Sequence, residues 1–354
     1  MPSTDEFTGW LGLDAKSVEG NLVKATFNPK VFTDDDIDIK ISHCGMCASD
    51  LHTLRSGWGA SLYPVVVGHE IIGTITRKGK NVTQFEIGDR VGVGAQCASC
   101  LKDDCYECTH DNEPYCTERV FTYNDKFTGT DDVAYGGYAL QGRYPASFAF
   151  KIPDGLPSEI AAPMMCGGIT VYSPLKRNGA GPGKTVGIVG IGGLGHFGLL
   201  FAKALGSDKV YAISRSKAKE ADVLAMGAEG IIATKEPGWT KDWTRKFDLI
   251  VSTANNADMP LQDYLSILKP GGRFVQVGLP EEPIPQLQFG PLVTMNVHLL
   301  GSLLGSRSEI TEMLETSAAK GIKSWVQTYP MEEVNEVLKL MEAGEAKYRF
   351  VLCN

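Results

Sequence analysis

Thr185-Val186-Gly187-Ile188-Val189-Gly190-Ile191-Gly192-Gly193-Leu194-Gly195 is the stretch that decides the fold. Its first residues are a short apolar run, the pattern of a buried strand. Gly190 to Gly195 then fit G-x-G-x-x-G, and Leu194 to Leu205 reads as a helix. A strand before and a helix after is the context that a dinucleotide-binding turn requires. Gly190 would permit the tight turn, Gly192 would let the backbone approach a pyrophosphate, and Gly195 would let the helix pack close to the strand. The helix start would offer unpaired N–H groups and a positive dipole end to the phosphates. Ile191, Gly193 and Leu194 complete the candidate cofactor turn.

Toward the C-terminus the alternation continues. Lys209–Ile213, Asp248–Val251 and Arg273–Val277 read as further strands, which predicts a parallel sheet with helices on both faces. The second strand runs into Ser214-Arg215-Ser216-Lys217-Ala218-Lys219, with no acid until Glu220. An NAD site would place an acid there for the ribose 2′-hydroxyl. Hydroxyls and cations suit a 2′-phosphate instead, so Ser214, Arg215, Ser216 and Lys219 are candidate contacts of NADP(H). Later, Val334, Val337, Leu338 and Met341 mark one stripe of an amphipathic core helix.

Toward the N-terminus the texture is different. Val65–Val67, Ile71–Ile75 and Asp89–Val93 read as short β segments, the spacing of a barrel-like or irregular β domain. Residues 97–135 have little apolar pattern and need something other than a core to hold them. The chain has 354 residues, more than one compact core usually holds. Its net charge of -8 argues against nucleic acid and anionic membranes as partners. No run of apolar residues is long enough to span a bilayer. The start, Met1-Pro2-Ser3-Thr4-Asp5-Glu6, carries acids where a leader would carry bases, so a cytoplasmic protein is expected.

Nine cysteines in a reducing compartment point to metal rather than disulfides. Cys100, Cys105, Cys108 and Cys116 lie in one short stretch within the segment that lacks a core. Four thiolates suit a closed tetrahedral structural zinc, whose binding free energy would order the loop. A second constellation is dispersed. Cys44-Gly45-Met46-Cys47-Ala48-Ser49-Asp50-Leu51-His52 is followed by Gly68-His69-Glu70 and, much later, by Ala162-Pro163-Met164-Met165-Cys166. Cys47, His69 and Cys166 would give three ligands and an open fourth position, the pattern of a catalytic zinc able to polarise a carbonyl.

These motifs, together with Asn112-Glu113-Pro114-Tyr115-Cys116, Ala161–Ser173 and Tyr348-Arg349-Phe350-Val351, resemble the zinc-dependent medium-chain alcohol dehydrogenases. Within that family the chain is most similar to the cinnamyl alcohol dehydrogenase branch and its fungal NADP-dependent members. The resemblance implies a GroES-like irregular β-barrel over residues 1–160 and 305–354, with a structural-zinc lobe near 97–118. A Rossmann cofactor domain would span 161–304. It also implies hydride transfer between NADP(H) and a primary alcohol/aldehyde pair, with two zinc ions per chain. Glu70 matches a glutamate that can enter the metal's shell, Ser49 and His52 match a proton relay, and Cys44 matches a non-ligand. Ser49, Thr170, Thr253, Gly278 and Ser302 fall at cofactor positions.

The lobe departs from the usual spacing, which leaves Cys97 as an alternative to Cys100. Phe121 and Leu303 stand where the branch often has tryptophan and phenylalanine. A zinc-independent C=C reductase and a polyol dehydrogenase are the rival activities. A homodimer joined through the cofactor domains near residues 283–303 is the implied assembly.

Overall fold

The computed structural model describes residues 5–256, 258–283 and 286–354. Two compact units result, one formed by Met1–Cys166 with Ser306–Asn354 and the other by Gly167–Gly305.

In the contiguous unit, Thr185–Val189 and Lys209–Ser214 are parallel neighbours and the helix Gly195–Ala204 connects them. Six parallel strands form the sheet. Counted in chain order within this unit, they lie 3-2-1-4-5-6, the doubly wound order with its switch point beside the first strand. The edge strands are Gly230–Ala233 and His298–Gly301. The inner strands are apolar nearly throughout, as a sheet covered on both faces requires: Val186, Ile188, Val210, Ala212, Ile250 and Val251 are fully buried.

The other unit is built on a sheet of seven strands. Asp36–Gly45 is its centre, paired antiparallel with Glu70–Lys78, Gln141–Pro145 and Arg349–Cys353. Ile37, Ile39 and Ile41 alternate along it and are fully buried, the period-2 signature of a strand facing a core. Arg349–Cys353 lies between Asp36–Gly45 and the edge strand Val326–Pro330, so the segment after residue 305 completes one side of this sheet. Helix Val334–Glu342 lays Val334, Val337 and Leu338 against the same core.

Two expectations are corrected here. Val65–Val67 is not a strand: only Val65 makes a bridge, to Gly12, although all three residues are fully buried. Their apolar character reports burial in a loop and not sheet pairing. The first unit also ends later than residue 160. The buried 3-10 turn Ala162–Met165 packs on the strands Asp36–Gly45, Glu70–Lys78 and Arg90–Val93. Those contacts keep Cys166 within the first unit.

Candidate active site and metal centres

Three segments of the first unit converge on one buried point. Cys47 is extended and caps the helix Ala48–Leu54. Asp50, at the third helical position, accepts a hydrogen bond from the Cys47 backbone N–H at 2.9 Å, the return half of a capping box. Asp50 also accepts from Gly68 N at 3.1 Å and Tyr138 Oη at 2.8 Å. One buried carboxylate therefore ties the Cys47 turn to the segment carrying His69. Glu70 opens its strand directly opposite Gly45, where any side chain would strike the carboxylate. Cys166 follows the buried 3-10 turn.

Ligand atoms of Cys47, His69, Glu70 and Cys166 all lie within 4.8 Å of one another, and all four residues are buried. Among the described residues His69 Nε2 is buried with no hydrogen-bond partner of regular geometry, although the Cys47 sulfur lies close to it. Such an atom is costly unless something else binds it, and two thiols with one imidazole are a zinc donor set. The residues fit the metal. The charges agree: the adjacent Cys166 thiol holds Cys47 well below the usual thiol range, against the effect of burial. Burial opposes a charged His69, but the Cys47 thiolate, Asp50 and Glu70 raise it to about 9. Burial raises Glu70 to about 7, while Arg349 pulls the other way. Arg349, itself buried, donates from Nη2 to Glu70 Oε1.

The second cluster is local. The Sγ atoms of Cys100 and Cys108 are 3.7 Å apart, those of Cys100 and Cys116 3.5 Å, and those of Cys105 and Cys116 3.9 Å. No disulfide spans such distances. Thiolates around a tetrahedral zinc, each about 2.3 Å from it, stand roughly 3.8 Å apart. Cys97 is elsewhere: buried, its thiol donating to the Phe121 carbonyl at 3.5 Å and raised by desolvation. The lobe is docked by Arg307, whose Nε donates to the buried Glu113 at 3.1 Å, and by Ser308 on Asp111 at 3.1 Å.

Ser49 and His52 are three apart on the helix Ala48–Leu54 and so share a face. Cys47 Sγ and Ser49 Oγ lie 3.5 Å apart, within hydrogen-bond reach, and His52 is stacked by Trp58 at 4.3 Å.

In the contiguous unit, Gly190 has φ +83 and a Cβ on Gly195 would collide with the Gly190 carbonyl, so both positions demand glycine. Thr253 Oγ1 donates to the carbonyls of Val189 and Gly190 at 3.0 and 2.8 Å. Ser302 N donates to Gln276 O at 3.1 Å, and Gly278 N to Ser252 O at 3.3 Å. Thr253, Gly278 and Ser302 thus sit at the ends of neighbouring strands. Thr170 is buried on the helix Gly167–Arg177. Arg215 and Ser216 are exposed just beyond Ser214, whereas Lys219 Nζ is drawn to the Ile191 carbonyl at 2.7 Å, against the glycine turn.

Residues 33–154 match the family described as the alcohol dehydrogenase GroES-like domain, and residues 193–319 match zinc-binding dehydrogenase. The NADP-dependent alcohol dehydrogenase 6 of Saccharomyces cerevisiae is 45% identical over 94% of this chain and 92% of its own length. The chain belongs to the zinc-binding alcohol dehydrogenase family. Two solved structures of that family share its fold closely. A cinnamyl alcohol dehydrogenase from Sorghum bicolor has a TM-score of 0.93 at 34% identity, covering 99% of this chain and 98% of that one. One from Helicobacter pylori, complexed with NADP(H), has a TM-score of 0.90 at 31% identity, covering 100% and 99%.

Within the family frame, sequence reasoning missed the support around the metal ligands. Asp50, Tyr138, Tyr123 and the Arg349 partner of Glu70 carried no assigned role. Asp50 was findable, as an acid three residues after the capping Cys47; the others are joined to the site only by tertiary folding.

Proposed function

We propose that this chain is an NADP(H)-dependent zinc alcohol dehydrogenase that interconverts primary alcohols and aldehydes, with aromatic, cinnamyl-type and medium-chain aliphatic aldehydes as substrates for reduction. The observation that carries this reading is the buried Cys47, His69, Glu70 and Cys166 set in a chain whose second cofactor-type strand ends at Ser214 and runs into Arg215-Ser216. A C=C reductase without zinc would have no use for that set.

When bound, zinc supplies Lewis acidity toward a carbonyl or alcohol oxygen, and the nicotinamide supplies or accepts hydride. Cys47, His69 and Cys166 would hold the metal, and Glu70, restrained by Arg349, could enter the fourth position or leave it open. Burial of these groups excludes water and strengthens each charge interaction. Ser49 Oγ would hold the proton exchanged with the substrate oxygen and pass it toward His52 on the same helix face. Gly190, Ile191, Gly192, Gly193, Leu194 and Gly195 would seat the pyrophosphate, with Thr253, Gly278, Ser302 and Thr170 lining the remainder of the cofactor. Ser214, Arg215 and Ser216 would take the 2′-phosphate, and Lys219 would brace the turn beside them.

Cys100, Cys105, Cys108 and Cys116 would hold the second zinc. We further infer a cytoplasmic homodimer. No helix among the described residues is long and apolar enough to cross a membrane. The edge strand His298–Gly301 is exposed throughout, including Leu299 and Leu300, and an open apolar edge is a template for pairing. Of the expected 283–303 segment, residues 284 and 285 lie outside those described.

The test is NADPH oxidation against aliphatic, benzylic and cinnamyl aldehydes, with zinc measured on the same sample. Aldehyde-dependent turnover, two zinc ions per chain and a lower KM for NADPH than for NADH are expected. Turnover in zinc-free protein, or equal use of both cofactors, would overturn the corresponding part.

A further inference from the structure

Tyr123 lies flat on His69. The ring centroids are 5.1 Å apart and the planes are 11° from parallel, an offset stack. Tyr123 is 6% exposed, and its buried hydroxyl faces the Asp50 carboxylate without a hydrogen bond of regular geometry among the described residues. The ring is the part of this side chain that touches His69.

Its placement is over-determined by the residues on either side. Thr122 N donates to Ala95 O at 3.0 Å, and Thr122 Oγ1 donates to Gly94 O. Asn124 Oδ1 accepts from Leu62 N at 2.7 Å, and Phe121 N donates to Asp125 Oδ2 at 2.9 Å. A turn braced on both sides cannot carry the ring away from His69 without breaking several of these bonds.

We propose that Tyr123 is a positioning residue for the metal-binding imidazole of His69, holding the ring plane at the angle that ligation needs. The inference rests on the reading of Cys47, His69 and Cys166 as zinc ligands. An imidazole that shares its lone pair with a cation is electron-poor, and the electron-rich face of a phenol ring attracts it more strongly than it attracts the free base. The stack therefore favours the loaded site. Groups that orient a metal ligand from outside the coordination shell commonly set metal affinity as well as geometry.

The experiment follows zinc release from the intact, zinc-loaded chain into excess chromogenic chelator. Two phases are expected, and Cys105→Ser, by removing the lobe's phase, identifies which is which. Tyr123→Leu should speed release from the Cys47 site by about tenfold or more, the usual scale for a lost orienting group, and leave the lobe's phase unchanged. Tyr123→Met, which refills the volume without a ring, should do the same and serves if the leucine variant does not fold. Tyr123→Phe keeps the stack and should stay within about twofold of the native rate. Native release rates in the leucine and methionine variants overturn the proposal. So does acceleration of both phases together, which marks general loosening, or a phenylalanine variant as fast as leucine. If the underlying zinc reading is what fails, the native chain itself shows no phase that Cys47→Ser removes.

Discussion

The two metal clusters are built on opposite principles. The lobe draws four thiols from a short stretch between Cys100 and Cys116, three of them only partly buried. The other set draws two thiols, an imidazole and a carboxylate from segments far apart in sequence, all buried and braced by Asp50 and Arg349. A local cluster needs little from the fold and gives the fold order in return. A dispersed cluster needs the fold first, and in return it can leave a ligand position open to chemistry. Geometry thus suits the local cluster to a structural role and the dispersed one to a reactive role.

The sharpest way to break this contrast is to remove a dispersed ligand. Cys47→Ser or His69→Ala should leave one zinc per chain and lower kcat/KM for aldehyde reduction by roughly a thousandfold or more, as expected when a Lewis acid worth several kcal/mol is lost. Aldehyde turnover surviving in such a zinc-depleted variant would sink the assignment. Next in size is Arg349→Met, which leaves the buried Glu70 carboxyl without its cation. Breaking one partner of such a pair costs about 3–5 kcal/mol, and urea unfolding of the variant should show it. Glu70→Gln in the same chain should recover part of the loss.

On the other side of the comparison, Cys105→Ser should lose the lobe's zinc and keep the buried one. Cleavage by a nonspecific protease should then concentrate within residues 97–118 and run about tenfold faster, because local order there depends on the metal. Unchanged protection of the lobe would show that its contacts, such as Arg307 with Glu113, suffice alone.

The smallest effect is a control in the contiguous unit. Burial would raise Asp248, but Lys269 Nζ at 2.7 Å and Thr185 N at 2.9 Å hold it below its ordinary value of 3.8. A depressed folded value means stability that is present above 3.8 and lost as pH falls through the folded value. Asp248→Asn should therefore cost about 1 kcal/mol at neutral pH, with the difference fading in acid, and should disturb neither zinc. Zinc loss in this variant would show that the clusters depend on the stability of the contiguous unit.

Much of this was legible in the sequence because it is local. The glycine turn, the strand leading into it and the late helix at Val334–Glu342 each announce themselves within a few residues. The lobe does so as well, except for the choice between Cys97 and Cys100, which only the folded positions of the two thiols decide. What was not legible is tertiary. Val65–Val67 looked like a strand because burial and sheet pairing leave the same apolar trace. That Lys219, a candidate phosphate contact, would also reach the Ile191 carbonyl is set only by folding. Tyr123 and Tyr138 are ordinary tyrosines until the chain places them on His69 and Asp50.

The insertion of Arg349–Cys353 into the sheet beside Asp36–Gly45 has a consequence for biogenesis. During synthesis, Gly167–Gly305 is contiguous and can fold as soon as it emerges, whereas the unit that begins first must wait for its missing strand. Glu70 has no Arg349 until then, and the long loop closure that joins them is a slow step by its topology. The domain made first is thus completed last. A nascent chain holds Cys47, His69 and Cys166 within an unfinished sheet for most of its translation, and this interval is where chaperones and zinc supply would bear most heavily on yield.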